Sequence, residues 1–328
     1  MNPNRLMGLL IVVTVVAMSL SCAKRPTIGP LERGIEHFEN QDYAAAKEAF
    51  DLAFEQEPEN PAIPYYLGQI ALRDGDNDKA IELLEKAVSM DETNPGYHLV
   101  LGQAYVQKLQ TVTMFEKATF AAKVKGEFEK AVEVDPEHVG ARVALASFYL
   151  QAPPIAGGSV KKAKEHAEVI KNLDPTQGHG FMAQIYVKEK DYAAAEIEYE
   201  ALVALSPDDP DIHYQLGMLH QSTEDFDKAF AAFEKALSLD PDHTASLYQM
   251  GRTGVFSGEN LERCIECMKT YLGKELHPGN PSKAAAHWRL GMLYEKMGDK
   301  DLARKEYETA LELEPENEEA KKSLEALE

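Results

Sequence analysis

Four stretches of this chain can be laid over one another residue for residue. They are DYAAAKEAFDLAFEQEP (42–58), DYAAAEIEYEALVALSP (191–207), DFDKAFAAFEKALSLDP (225–241) and DKDLARKEYETALELEP (299–315). Each carries an Ala, an aromatic residue four places on, a small or apolar residue three further and a Pro five after that. A second pattern precedes them: YYLGQIAL (65–72), LVLGQAYV (99–106), YQLGMLHQ (214–221), YQMGRTGV (248–255) and WRLGMLYE (288–295). Gly34, Gly68 and Gly102 lie 34 residues apart, as do Gly217 and Gly251. A fixed period of this length means a stack of small units, each too short to bury its own apolar face.

The spacing implies two antiparallel helices per unit. Gly at their crossing lets the axes approach, and Ala46, Ala80, Ala163, Ala195, Ala229 and Ala303 fill the matching small position on the second helix. Phe50, Phe128, Tyr199, Phe233 and Tyr307 are expected to pack between units. Pro58, Pro136, Pro175, Pro207, Pro241 and Pro315 stop each second helix, because Pro cannot continue one. Period, Leu-Gly, Ala, aromatic and closing Pro together resemble the tetratricopeptide repeat (TPR). The resemblance implies an all-α fold: a right-handed TPR superhelical solenoid of about eight helix-turn-helix repeats plus a C-terminal capping helix. The repeats start near residues 27, 61, 95, 139, 176, 210, 244 and 284. The array is read as 31–317, with insertions near 108–125, 152–160 and 273–283, and the polar cap as 318–328.

TPR arrays present the first helix of each repeat on a concave surface, so the resemblance places the binding face there. Its charged positions are Glu39, Arg73, Lys188, Asp211, Arg252, Glu295 and Lys296, nearly balanced, although the chain carries a formal charge of −21. Aromatic and flexible apolar residues accompany them. Tyr65, Tyr214, Met218, Tyr248, Arg252, Phe256, Trp288 and Met292 are the candidate partner-binding residues. Aromatic anchors beside adaptable amides suit an extended peptide or an amphipathic helix. The alternative for the same residues is ordinary packing between repeats. The insertion KLQTVTMFEKATFAAKVK (108–125) has four lysines against one acid. It is expected to be a protruding basic hairpin in which Lys117, Lys123 and Lys125 form a second contact, or else a solvated helix face.

The acidity argues against nucleic acid as a partner and against wide contact with anionic lipid. CIEC (264–267) has the C-x-x-C spacing of a redox pair or half a metal site. Its register instead aligns Cys264 with the small Ala of other repeats, a buried position. His213 and His220 fall on the buried stripe of their helix, and AGGSVKK (156–162) lacks phosphate-loop spacing. The chain is read as no enzyme, with no metal and no cofactor.

At the other end, residues 7–20, MGLLIVVTVVAMSL, form an apolar run after a polar start holding Arg5. That is a signal-peptide pattern, too short for a spanning helix. Ser19 and Ser21 precede Cys22, which resembles the processing site of a bacterial lipoprotein precursor, although Leu20 stands one place later than in the usual box. The resemblance implies removal of 1–21, acylation of Cys22 and, with Ala23 following, the periplasmic face of a Gram-negative outer membrane. An ordinary secretory signal or an uncleaved anchor is the alternative. Residues 22–30 would be the lipidated Cys and a short tether. TPR lipoproteins of this kind act as pilotins for pilus secretins or as scaffolds for cell-wall hydrolases. The expected function is therefore a membrane-anchored scaffold that binds a protein or peptide in its groove. A periplasmic solute-binding transporter component is the second reading.

Overall fold

The computed structural model describes residues 28–327. Cys22, its leader and most of the tether lie outside them. Among the described residues all regular elements are helical, and contacts divide the chain into two units at Met90 and Asp91.

The first unit holds α1 (Pro30–Glu39), α2 (Tyr43–Gln56), α3 (Ala62–Arg73) and α4 (Asn77–Met90). Ala46, Phe50, Ala53, Ile63 and Ile70 are its buried centre. Phe50 reaches both ways. Its ring lies under Gly34 of its own pair and stacks on Tyr66 of the next at 5.1 Å.

The second unit continues the pairing. Its helices are α5 (Pro95–Lys108) with α6 (Met114–Val134), and α7 (Val139–Gln151) with α8 (Val160–Leu173). Next come α9 (Pro175–Glu189) with α10 (Tyr192–Leu205), and α11 (Pro210–Ser222) with α12 (Phe226–Leu239). The last pairs are α13 (Thr244–Ser257) with α14 (Leu261–Leu272), and α15 (Lys283–Met297) with α16 (Lys300–Leu313); α17 (Glu318–Ala326) closes the stack. Counting the first unit, the described residues form eight helix pairs and a terminal helix.

Local chemistry sets these boundaries. Asp42, Asp191, Asp225 and Asp299 cap second helices by accepting from Ala45, Ala194, Lys228 and Leu302 N–H, three residues on. Asn94, Asp174 and Asp209 cap first helices and are followed by Pro at the first helical position. Pro175 therefore does more than stop α8. It opens α9, and Asp174 serves both helices. With no further residue between them the two backbones touch: a Cβ on Gly178 would lie 2.1 Å from Lys171 Cα.

In four pairs the aromatic of the second helix lies against the Gly of the first, as Phe50, Phe128, Phe233 and Tyr307 do, while Leu84 and Met268 take that place against Gly68 and Gly251. A Cβ on Gly217 would meet the Phe233 ring at 2.5 Å, and one on Gly291 would meet Tyr307 at 2.5 Å. The aromatics thus lock helices within a pair as well as between pairs. A second lock was hidden in the sequence. His98, His179 and His287 on first helices meet Glu127, Glu198 and Glu306 on second helices, at 2.7, 2.5 and 2.6 Å. Each Glu directly precedes the packing aromatic. Buried Glu198 is also held by Lys171 Nζ, 3.1 Å from both its oxygens.

Of the two readings of the insertion 108–125, the structure shows the helix face rather than the protruding hairpin. The insertion lengthens α6 to 21 residues, where the other second helices have 12 or 14. The Glu116 carboxylate accepts from the Thr113 N–H (3.0 Å) and hydroxyl (2.7 Å), a capping arrangement that starts the helix seven residues early. The second insertion forms a 3-10 turn (Pro154–Ala156) packed on α6.

Candidate functional site

Within the second unit the first helices α11, α13 and α15 pack on one another in succession, and α15 packs on α17. No contact of that size joins α12 to α14 or α14 to α16. First helices therefore form the inner layer of this part of the stack and second helices the outer layer. Seven of the eight candidate residues lie on α11, α13 and α15: Tyr214, Met218, Tyr248, Arg252, Phe256, Trp288 and Met292. Tyr65 belongs to the first unit, half-buried on α3, with its ring 5.2 Å from Tyr66.

The seven are not equally available. Tyr248 is only 6 % exposed. Its hydroxyl accepts from Arg289 Nε at 2.7 Å, and its ring lies between the Arg289 guanidinium and Tyr271, each centred 5.3 Å away. Trp288 donates from Nε1 to Ser323 Oγ on α17 at 3.0 Å. Tyr214, Met218 and Met292 are half-buried against the same core. Phe256, by contrast, is 50 % exposed, with the Arg252 guanidinium 5.2 Å from its ring centre.

Gln249, Arg252 and Phe256 stand at i, i+3 and i+7, so they share one face of α13. Two polar atoms on that face are buried and unpartnered: Gln249 Oε1, an acceptor, and Arg252 Nε, a donor. A buried polar atom without a partner costs about 1–3 kcal/mol. Neither atom is open to solvent, so a ligand that supplies an N–H and a C=O recovers that loss only by drawing the two side chains outward. An extended peptide backbone carries both groups.

The remaining candidates for chemistry are structural. Cys264 and Cys267 are fully buried in α14, and burial pushes their thiols up to about 12 and about 11. They are protonated, apolar fillers at neutral pH. His213 is buried with Nε2 2.8 Å from the Pro207 carbonyl. Burial holds the His220 pKa below the usual imidazole value, against the nearby Glu196 carboxylate, which acts the other way. Of the basic candidates, Lys117 is exposed on α6, Lys123 lies 4.8 Å over the Tyr105 ring, and Lys125 pairs with Glu129 at 3.5 Å.

A tetratricopeptide-repeat model matches residues 31–107, and the middle TPR-like domain of cilia- and flagella-associated protein 70 matches residues 180–314. The helix pairs in those two ranges match tetratricopeptide repeats. A protein of Dictyostelium discoideum, a homologue of DnaJ subfamily C member 3, is 24 % identical over 191 residues, covering 54 % of this chain. The chain spans about a third of that relative's length, 36 %. Among solved structures, the Cut9–Hcn1 hetero-tetramer of the APC/C aligns over 90 % of this chain and 52 % of its own, at 16 % identity and a TM-score of 0.52. PilF of Pseudomonas aeruginosa aligns over 73 % of this chain and 99 % of its own, at 18 % identity and 0.52. At these identities the likeness is one of fold. TPR proteins are generally non-catalytic scaffolds that bind protein or peptide partners, and this chain is consistent with that class.

The repeat pattern pointed to the inner helices and to Arg252 and Phe256. It passed over Arg289, which covers Tyr248. Arg289 sits one place after the inward position, and no periodic feature marks it.

Proposed function

We propose that this chain is a lipid-anchored scaffold that holds an extended peptide segment of a partner protein against α11, α13 and α15. The unpartnered Gln249 Oε1 and Arg252 Nε beside half-exposed Phe256 carry the reading. They offer one acceptor, one donor and one apolar contact along a single helix face. That is the minimum a peptide needs for register and affinity. The anchor rests on Cys22 and the apolar run before it. The place proposed for the complex is the periplasmic face of an outer membrane, where a TPR scaffold serves assembly of an envelope complex.

The test is photo-crosslinking in cells from Phe256, compared with Glu308, an exposed position on α16. A discrete adduct from Phe256 alone, in the membrane fraction and released by Cys22→Ser, is the expected result. Equal labelling at both positions, or none at Phe256, refutes the peptide-binding face. Unchanged membrane association of Cys22→Ser refutes the anchor by itself.

A further inference from the structure

The three most exposed large apolar side chains among the described residues stand on the two insertions: Met114 (80 %), Phe115 (95 %) and Ile155 (97 %). Met114 and Phe115 form the first turn of the lengthened α6, and Ile155 is the middle of the 3-10 turn. The two insertions meet. The turn packs on α6, and a Cβ on Gly157 would lie 3.5 Å from Lys125 Cδ. Neither segment belongs to the 34-residue repeat, so neither exposure follows from stacking.

Charge singles out the same region. Residues 108–125 hold Lys108, Lys117, Lys123 and Lys125 against Glu116. Residues 152–160 carry no charge, and the start of α8 beside them holds Lys161, Lys162 and Lys164, followed by Glu165. Residues 108–125 are net +3 in a chain of −21. Some of this charge is met within the fold: Lys125 pairs with Glu129, Lys161 with Glu165 at 3.9 Å and Lys164 with Glu189 at 2.6 Å. Lys117 stands exposed two residues from Phe115.

We propose that the start of α6 and the 3-10 turn together dock on an anionic phospholipid surface, with Met114, Phe115 and Ile155 entering the interface. Exposed apolar residues rimmed by lysines are the composition that binds such a surface. The side chains protrude singly from two segments and line no groove. A bilayer accepts protruding side chains without matching their shape, whereas a protein partner needs a pocket for each. The strong negative charge elsewhere repels anionic lipid and so selects this one orientation. The inference is independent of the peptide-binding face, which uses other helices.

The experiment uses the full chain reconstituted in vesicles with brominated acyl chains, and Phe115→Trp against the parent, whose single tryptophan is Trp288. On phosphatidylglycerol–phosphatidylcholine vesicles the added tryptophan emission is expected to shift to the blue and be quenched. On pure phosphatidylcholine the quenching falls several-fold, and Lys117→Glu with Lys162→Glu lowers it on the anionic vesicles as well. Phe115→Ser leaves the helical signal and thermal midpoint unchanged, because the side chain makes no core contact. Emission that stays that of a water-exposed tryptophan on every vesicle overturns the proposal. Quenching that is the same with neutral and anionic lipid also overturns it, as does a blue shift without quenching, which assigns these side chains to a protein contact or self-association.

Discussion

Gly126 and Gly291 both sit inside helices, and replacing each by Ala moves stability in opposite directions. In a helix interior Gly is about 1 kcal/mol worse than Ala, so the exchange is favourable wherever the new methyl has room. Gly126 on α6 has nothing within 4 Å of its Cβ direction. Gly126→Ala is therefore expected to stabilise by about 0.5–1 kcal/mol. Gly291 on α15 has no such room. Its Cβ would fall 2.5 Å from Tyr307 Cε1, 2.6 Å from Cδ1 and 3.1 Å from the Ala303 carbonyl oxygen.

The ring cannot step aside. Tyr307 is fully buried, and its hydroxyl donates to Glu295 Oε2 at 2.7 Å, one turn further along the same helix as Gly291. The ring is thus laid lengthwise along α15 and pinned at its far end, so α15 and α16 must part. Overpacking of this kind costs about 1–3 kcal/mol, or more when backbone moves. Because the backbone must move, the cost lies at the upper end, about 2–3 kcal/mol. Less a helix gain of about 1 kcal/mol, Gly291→Ala comes out destabilised by about 1–2 kcal/mol, and about 1.5–3 kcal/mol below Gly126→Ala. Urea unfolding followed by helical circular dichroism compares the two. Hydrogen exchange of the α15 and α16 amides is needed as well, because stacked repeats unfold in sections rather than all at once. Faster exchange confined to the last repeats is expected for Gly291→Ala. A Gly291→Ala chain as stable as the parent, with α15 and α16 protected as before, refutes the claim that the Gly–aromatic contact sets the helix spacing.

The buried thiols, pushed up to about 12 and about 11, are expected to escape alkylation in folded protein at pH 8 and to react in urea. Mass spectrometry showing Cys264 or Cys267 modified without denaturant would contradict their reading as fillers. His220 has its folded pKa below the ordinary 6.5, so the unfolded chain binds its proton more readily. The stability it contributes is complete above pH 6.5 and is lost as pH falls through the folded value. The thermal midpoint of the parent should fall more steeply below pH 6.5 than that of His220→Asn, and parallel slopes would exclude this histidine as the cause.

The period of 34 made the helix pairs legible, because Gly, Ala, aromatic and Pro each do one packing or termination task that only a few residue types can do. The array and the inner position of α13 follow from it. What stayed hidden is held by contacts outside the period. Arg289 covers Tyr248 from 41 positions away and turns an expected anchor into a buried residue. The His–Glu pairs are 19 residues apart in two repeats and 29 in the third, because the ten inserted residues fall between His98 and Glu127. That offset conceals a shared contact. The insertion itself was legible as an addition, with a hairpin and a helix face both open. Its start is decided by one side chain, Glu116, reaching back to Thr113, and a lysine-rich stretch reads equally well as loop until that cap is seen.

The junction between α8 and α9 bears on how long a bound segment can be. Asp174 ends one helix and starts the next, and the two backbones touch at Gly178 and Lys171. The more extensive first-helix contacts run from α11 to α17, and separately from α5 to α7. Helices packed face to face lie about 8–10 Å apart, so the run from α11 to α17 spans roughly 25–30 Å. An extended strand rises about 3.3 Å per residue, so about eight residues cover it. Gln249 and Arg252 lie on α13, inside this run rather than at its edge. The unpartnered atoms therefore fall under the middle of such a segment, where both of its neighbours along the strand are also held. An isolated donor and acceptor at the end of the run would give no register. Between two flanking helices that offer Tyr214 and Met218 on one side and Met292 on the other, they fix it.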